Sequence, residues 1–454
     1  MSRASVAWIS AIFMLLAVCS QPAWAEEAGE ASAPIPMTAA QIPTVRGPIT
    51  PDTVITPSNW QQYKEYMPDG MQALFRGTAV WKMPADFQMV VGPTHQYSMP
   101  AQFNADTEKY SHSVKIVDLP GGGHAVTGYV AGLPFPNASG PQRGWKLLVD
   151  LWYVYTPYLL CGPFTFHLVD RFGNTNTETG FAVNRRLSHI SDFGQPINDP
   201  QAHGLFYSQE FALMEPEQAR YTTILNIHYD DPSKAQDTFI FIPAMRRALR
   251  LSSAARCSPF AGSDLTQDDA FKSMFNGDYR IFNSRVVREG YALALTQTPS
   301  SSAIANLNSY FKPFFFPKPS LGKWEARPVW VLDVRRIPSR AAGYCYEKNL
   351  LYLDKESYIA LWKDGYDKSG HLWKAFNDTQ FARFVPHVGV TVQAQQWFNN
   401  TWDMQNGHLT LGFANNSISG RPWAANEQCK NFDGQNYDDV ARYSFSSGLS
   451  EILR

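Results

Sequence analysis

The chain has 454 residues and a formal net charge of −1, with 39 Lys and Arg against 40 Asp and Glu. That balance gives no overall electrostatic footprint for nucleic acid or for an anionic membrane surface. Charged residues make up 17% and aromatic residues 14%, so the chain must either build a large core or line a cavity with rings.

The first residues read as an export signal. Arg3 supplies positive charge, Val6–Val18 is an apolar core with Ser10 its only polar member, and Ala23-Trp24-Ala25 is a small-x-small cleavage site. Cleavage after Ala25 would place the mature chain in the periplasm. The apolar core is too short for a membrane anchor, and Val18 does not suit a lipoprotein signal centred on Cys19. No later segment is apolar and long enough to span a bilayer. Leu151–Cys161 comes nearest and carries Pro157.

Residues 26–57 are rich in Ala, Pro, Thr and Glu without apolar periodicity, an extended linker or strap. From residue 58 to 454 no boundary or repeat is visible, which predicts a single domain. Cys161, Cys257, Cys345 and Cys429 remain after the signal, an even number in an oxidising compartment. They predict two disulfides, with three possible pairings.

Ser113–Ala131 is a hairpin turning on Pro120-Gly121-Gly122-Gly123. GLPFP at Gly132–Pro136 then forbids helix. Trp145, Leu148, Trp152 and Tyr155 follow at helical spacing, with Lys146 and Asp150 an i,i+4 pair on another face. An aromatic stripe of this kind is ordinarily core; the sharper reading is a helix that lines an apolar cavity.

Phe164–Phe172 starts a hairpin at Gly173-Asn174, Arg220–Tyr229 alternates as a strand, and Thr238–Ile242 leads into Met245–Leu251. In that last strand Arg247 shares a face with Met245, Leu249 and Leu251. An arginine there needs a partner, and Asp264, Asp268 or Asp269 in SDLTQDDAFKSMFNG would supply one by docking over the strand. The alternative is a guanidinium that snorkels into water.

Arg327–Val334 is a strand with both faces covered. Leu350–Phe376 is a three-stranded meander with turns at Asp354–Ser357 and Asp367–Gly370. Thr391–Phe398 and His408–Phe413 make a final hairpin across NNTWDMQNG. The acidic spacing in Asn431–Asp439 is similar to that of a calcium loop, but it lacks the EF-hand pattern and reads as a solvated turn.

No HxH, HExxH or CxxC occurs, so no metal site is expected. GxSxG, Walker A and GxGxxG are also missing, and no catalytic residue or cofactor is predicted.

Several blocks in order resemble the bacterial exported family known as domain of unknown function 1329, sometimes labelled outer-membrane lipoprotein-sorting protein. They are GLPFP with its tryptophan-bearing helix, PAMRRALRL at Pro243–Leu251, the acidic run ending at Phe275–Gly277, PVWVLDV at Pro328–Val334, and YLDKESY…GYDKSGHLW at Tyr352–Trp373. The chain departs from the family's pattern in having no acid in GPQRGWKLL, a less basic segment after Arg247, and four mature cysteines.

The resemblance implies a β-rich α+β fold similar to LolA and LolB: a strongly curved antiparallel sheet, an unclosed barrel, covered by helices. It further implies a carrier of a hydrophobic ligand, lipid or lipoprotein acyl chains, moving between inner and outer membranes. Trp145, Leu148, Trp152, Trp330, Tyr358, Leu361 and Trp373 would line the cavity, and Trp362 and Trp373 would stand in its wall. The alternatives are a non-enzymatic module docking an inner-membrane transporter or an outer-membrane barrel protein, and a hydrolase of envelope lipid or glycan.

Overall fold

The computed structural model describes residues 42–451 except 79, 253–255, 271–273, 276–277, 297–300, 381, 393–396 and 415–422. The expected signal, the first part of the linker and parts of the SDLTQDDAFKSMFNG segment therefore lie outside the described residues.

The chain is built on one fourteen-stranded antiparallel sheet. Its first run of strands is β1 (Leu159–Val169), β2 (Thr175–Arg186), β3 (Leu205–Glu215), β4 (Thr223–Tyr229), β5 (Asp237–Ile242) and β6 (Arg247–Arg250). The second is β7 (Phe282–Leu295), β8 (Trp324–Arg336), β9 (Lys348–Asp354), β10 (Ala360–Tyr366), β11 (Leu372–Gln380), β12 (Trp397–Asp403) and β13 (His408–Phe413). The spatial order is β6-β5-β4-β3-β2-β1-β13-β12-β11-β10-β9-β8-β7. One meander thus runs outward from the centre, the chain crosses to the far edge, and a second meander runs back until β13 pairs with β1. The short β14 (Ala424–Ala425) continues alongside β1 at Leu160 and Cys161. The end strands β6 and β7 do not pair with each other, so the sheet is not closed into a barrel.

Turn chemistry sets the meanders. Asp354 Oδ1 accepts the Glu356 and Ser357 N–H groups, and Asp367 Oδ1 accepts those of Ser369 and His371. Lys115–Asp118 pairs with His124–Thr127 across glycines 121, 122 and 123, all at positive φ.

Through β8, β9 and β10 both sheet faces are largely buried. Val329 and Val331 face a core in which Phe316, Trp324, Trp362 and Trp402 stack, with Trp324 and Trp362 centroids 6.3 Å apart and Trp362 and Trp402 6.1 Å apart. Helix α1 (Asp69–Arg76) adds Met71, Leu74 and Phe75 to it. Leu332 and Val334 face the opposite core, capped by α3 (Arg143–Tyr153), with α2 (Ala101–Tyr110) supplying Phe103. Ahead of these, Thr44–Val45 pairs with Thr94–His95, and Val54–Ile55 with Met89–Val90.

Three local expectations change. Asp150 does not pair with Lys146: it is fully buried and accepts the Phe135 N–H of GLPFP at 2.8 Å, while Lys146 donates to the Ser139 carbonyl. Met245 belongs to a tight turn over Pro243–Met245, closed by Arg246 at φ +49°, because Pro243 favours the turn's first position. The last hairpin turns later than NNTWDMQNG indicates. Asn399–Asp403 is strand, because Asn400 and Trp402 donate to the Phe315 and Phe314 carbonyls, and Asp403 caps the turn at Gln405 and Asn406.

Candidate site: an apolar cavity under a pinned roof

A cavity of about 330 Å³ lies on the first meander. Its floor is Phe164 of β1, Phe211 and Leu213 of β3, Ile224 of β4 and Ile240 of β5, with Thr222 and Leu251 at its margins. Strand alternation puts these on one face, and register aligns them: Phe211 opposes Ile224, and Ile224 opposes Ile240. Between β1 and β3, strand β2 presents only Gly180 and Ala182, opposite Leu213 and Phe211. A Cβ on Gly180 would sit 2.4 Å from the Phe164 ring, so glycine lets that ring lie across the strand.

The roof is the segment Ser258–Gly262 with Gln267. Phe260 closes edge-on over Phe211, with centroids 5.3 Å apart. The roof folds on itself through Phe260 N–H to the Leu265 carbonyl and Gln267 N–H to the Ser258 carbonyl.

Asp264, Asp268 and Asp269, one of which was expected to meet Arg247, instead pin this roof to the second meander. Asp268 is ion-paired with Arg256 and lies 3.2 Å from Arg336 Nη2. Asp269 pairs with Lys363 of β10 and accepts the Tyr346 hydroxyl at 2.6 Å. Asp264 accepts the Thr410 hydroxyl of β13 at 2.9 Å, and its carbonyl accepts from Lys374. Arg247 is exposed on β6 and pairs with none of them. Buried cations elsewhere need these carboxylates more than an arginine that water already solvates. Burial pushes Asp268 up, but Arg256 and Arg336 outweigh it and hold it below its ordinary value. Burial lowers Lys363 against the pull of Asp269. A disulfide, Cys257–Cys345, fastens the start of the same segment; the other, Cys161–Cys429, joins β1 to the C-terminal region.

Beside the roof, Glu178 of β2 faces Gly262. Its Oε2 has no hydrogen-bond partner among the described residues, and burial raises the group to about 7.

None of the seven residues expected to line a cavity lines this one. Trp145, Leu148, Trp152, Trp330, Tyr358 and Trp373 come together in the core under α3, where Trp145 Nε1 donates to the Tyr279 carbonyl at 3.1 Å. Leu361 sits in the opposite core with Trp362. The helix stripe is thus packing. Neither wall tryptophan points into solvent: Trp362 is fully buried, and Trp373 is half-buried with Nε1 donating to Asp403. The cavity's true lining had a weak signal in the alternation of Arg220–Tyr229, where Ile224 falls on the face opposite Leu225 and Ile227.

Among the described residues no group of three or more His, Cys, Asp or Glu could hold a metal ion. In the Asn431–Asp439 loop, Asp438 pairs with Arg185, and Asp439 accepts the Arg442 N–H.

The model of the family described as "Protein of unknown function (DUF1329)" matches residues 54–439. The chain belongs to this family. An uncharacterized protein of Pseudomonas aeruginosa, PA3922, is 21% identical over 424 residues, covering 87% of this chain and 85% of its own. A crystal structure of a DUF1329 family protein from Desulfovibrio piger shares 14% identity at a TM-score of 0.42, over 64% of this chain and 97% of that one. A putative outer membrane lipoprotein-sorting protein domain from Vibrio parahaemolyticus also matches at 14% and 0.42, over 60% and 91%. A LolA superfamily protein, NE2245 from Nitrosomonas europaea, matches at 13% and 0.34, over 57% and 85%.

Three of the sequence blocks, GLPFP, PVWVLDV and YLDKESY, come together. GLPFP is held by Thr107, whose Oγ1 accepts the Leu133 N–H, by Asp150, and by the Tyr358 hydroxyl donating to the Pro136 carbonyl. PVWVLDV lies within β8, and YLDKESY spans the β9–β10 turn beside it. Among the described residues no helix is long and apolar enough to cross a membrane.

Proposed function

We propose that this DUF1329 protein is a non-enzymatic periplasmic carrier of a hydrophobic ligand, residues 58–454 acting as one domain after removal of residues 1–25. The observation that carries the reading is the apolar cavity floored by Phe164, Phe211, Leu213, Ile224 and Ile240 and roofed by Phe260. Its volume of about 330 Å³ is at the low end for ligand pockets, room for a single chain or ring system. Glu178 beside the roof offers a polar head one buried partner. The two disulfides suit an oxidising compartment. Release would require the roof to shift, since a ligand moves an equilibrium only by its differential affinity for the two states.

The test is uptake of an apolar fluorescent probe by the purified protein, alongside native mass spectrometry of material taken from the periplasm. Ile240→Trp fills the cavity and is expected to weaken probe uptake at least tenfold with a cooperative melt retained. Equal uptake by the variant, or a periplasmic protein that carries no lipid and takes up no probe, sinks the carrier and leaves a docking module for a transporter or barrel partner.

A further inference from the structure

The first meander leaves three hairpin tips side by side at one end of the sheet. They are residues 170–174 between β1 and β2, 216–222 between β3 and β4, and 243–246 between β5 and β6. Register fixes this arrangement: Val169 opposes Thr175, Thr179 opposes Glu215, Thr223 opposes Phe241, and Ile242 opposes Arg247. Each tip exposes one large apolar or aromatic side chain next to an arginine. Phe172 is 82% exposed beside Arg171, Tyr221 is 36% exposed beside Arg220, and Met245 is 48% exposed beside Arg246 and Arg247.

Water would ordinarily select polar residues at all three points. The nearby acids are largely spent. Asp170 accepts from Phe172 N and from Asn174, and Glu217 pairs with Arg220 at 2.8 Å. Arg246 and Arg247 are exposed, and neither has an ion-pair partner among the described residues. The three side chains sit on three separate turns, and a fluid surface closes around each more readily than a rigid protein face. The end they occupy is also the cavity's end: Leu213, which lines it, donates its N–H to the Thr222 carbonyl and accepts the Tyr221 N–H at the base of the second tip.

We infer that these tips dock on a phospholipid surface. Phe172, Tyr221 and Met245 enter the headgroup–acyl boundary, and Arg171, Arg246 and Arg247 meet lipid phosphates. The near-zero net charge of the chain agrees with a contact held mainly by insertion rather than by bulk attraction. This goes beyond the carrier reading and stands without it, since a docking module would use the same contact.

The test compares the protein purified after export with a Phe172→Ser, Tyr221→Asn, Met245→Ser triple variant. Asparagine is chosen because position 221 has φ +65°. Vesicles of phosphatidylethanolamine and phosphatidylglycerol are used for co-sedimentation. The expected result is binding by the parent protein and at least a tenfold loss in the variant, with melting temperature and apolar-probe uptake unchanged. No binding by the parent, or equal binding by both, overturns the inference. Self-association of the parent that the variant loses, without vesicle binding, overturns it too and gives the tips to a second copy. Probe uptake is read separately, so failure here does not bear on the cavity.

Discussion

Arg327 and Asp354 form an ion pair with both side chains fully buried, Arg327 Nε 2.7 Å from Asp354 Oδ2. Arg327 Nη2 also reaches Glu356 at 2.9 Å, Nη1 donates to the His95 carbonyl, and the guanidinium lies over the Tyr97 ring. One arginine at the head of RPVWVLDV thus ties β8, the β9–β10 turn and the 94–97 segment together. Arg327→Met is expected to cost about 3–5 kcal/mol, because it strands the fully buried Asp354 without a cation. Urea unfolding checks it; a loss below about 1 kcal/mol would mean the pair contributes no more than a surface bridge.

A second buried acid predicts the slope of stability with pH. Burial, and after it the charge of Asp69, lift Asp364 to about 8. An unfolded aspartate titrates near about 3.9, so between these values the folded state holds the extra proton. This contribution is therefore complete below about 4 and is lost as pH rises through about 8. Glu178 and Glu210, both lifted to about 7 by burial, act in the same direction. Asp364→Asn, which keeps an acceptor for the Gly70 N–H, should flatten the fall in stability from pH 5 to 9 by up to about 1.4 kcal/mol per pH unit. Parallel curves for the two proteins would show that Asp364 is ionised when folded.

Gly180→Ala drives a Cβ against the Phe164 ring and the Ala212 carbonyl, each 2.4 Å away. The ring must swing into the cavity. Overpacking of this kind costs about 1–3 kcal/mol, and apolar-probe uptake should fall several-fold. Unchanged uptake would place the probe elsewhere.

The two disulfides should separate in their effects. Replacing both Cys257 and Cys345 by Ser frees the roof and should speed probe dissociation. Replacing Cys161 and Cys429 should lower stability, by about 2–4 kcal/mol as for typical bridges, with little change in dissociation. Stopped-flow release from the two variants checks this; identical release rates would remove the roof from the exit path.

How much of this could be read beforehand depended on distance along the chain. The meander at Leu350–Phe376 was legible because Asp354, Asp367 and Gly370 act within four residues of themselves. The sheet's openness and family followed from the order of the blocks. The roof's anchors were not legible, since Lys363 and Asp269 are 94 positions apart. A lysine in the middle of the apolar strand YIALWKDGY was nevertheless a sign that a carboxylate must come to it. The aromatic stripe on α3 was ordinary core by its spacing, and Trp145, Leu148, Trp152 and Tyr155 are buried together there. The cavity instead depends on side chains that β2 lacks, at Gly180 and Ala182, and a missing side chain leaves no periodicity to detect.

The seam between β1 and β13 has a consequence for how the protein comes into being. Strand β1 finds its inner neighbour only in residues 408–413, and Cys161 finds its bridge 268 positions later at Cys429. A chain folding from its N-terminal end would thus hold a six-stranded meander with a bare inner edge until almost its last segment had arrived. Such an edge invites pairing with any other strand nearby, and so distant a closure is slow. Truncation ahead of His408 should therefore yield aggregates rather than a shorter protein, and a chaperone guarding that edge would matter more here than for a fold closed by its own first half.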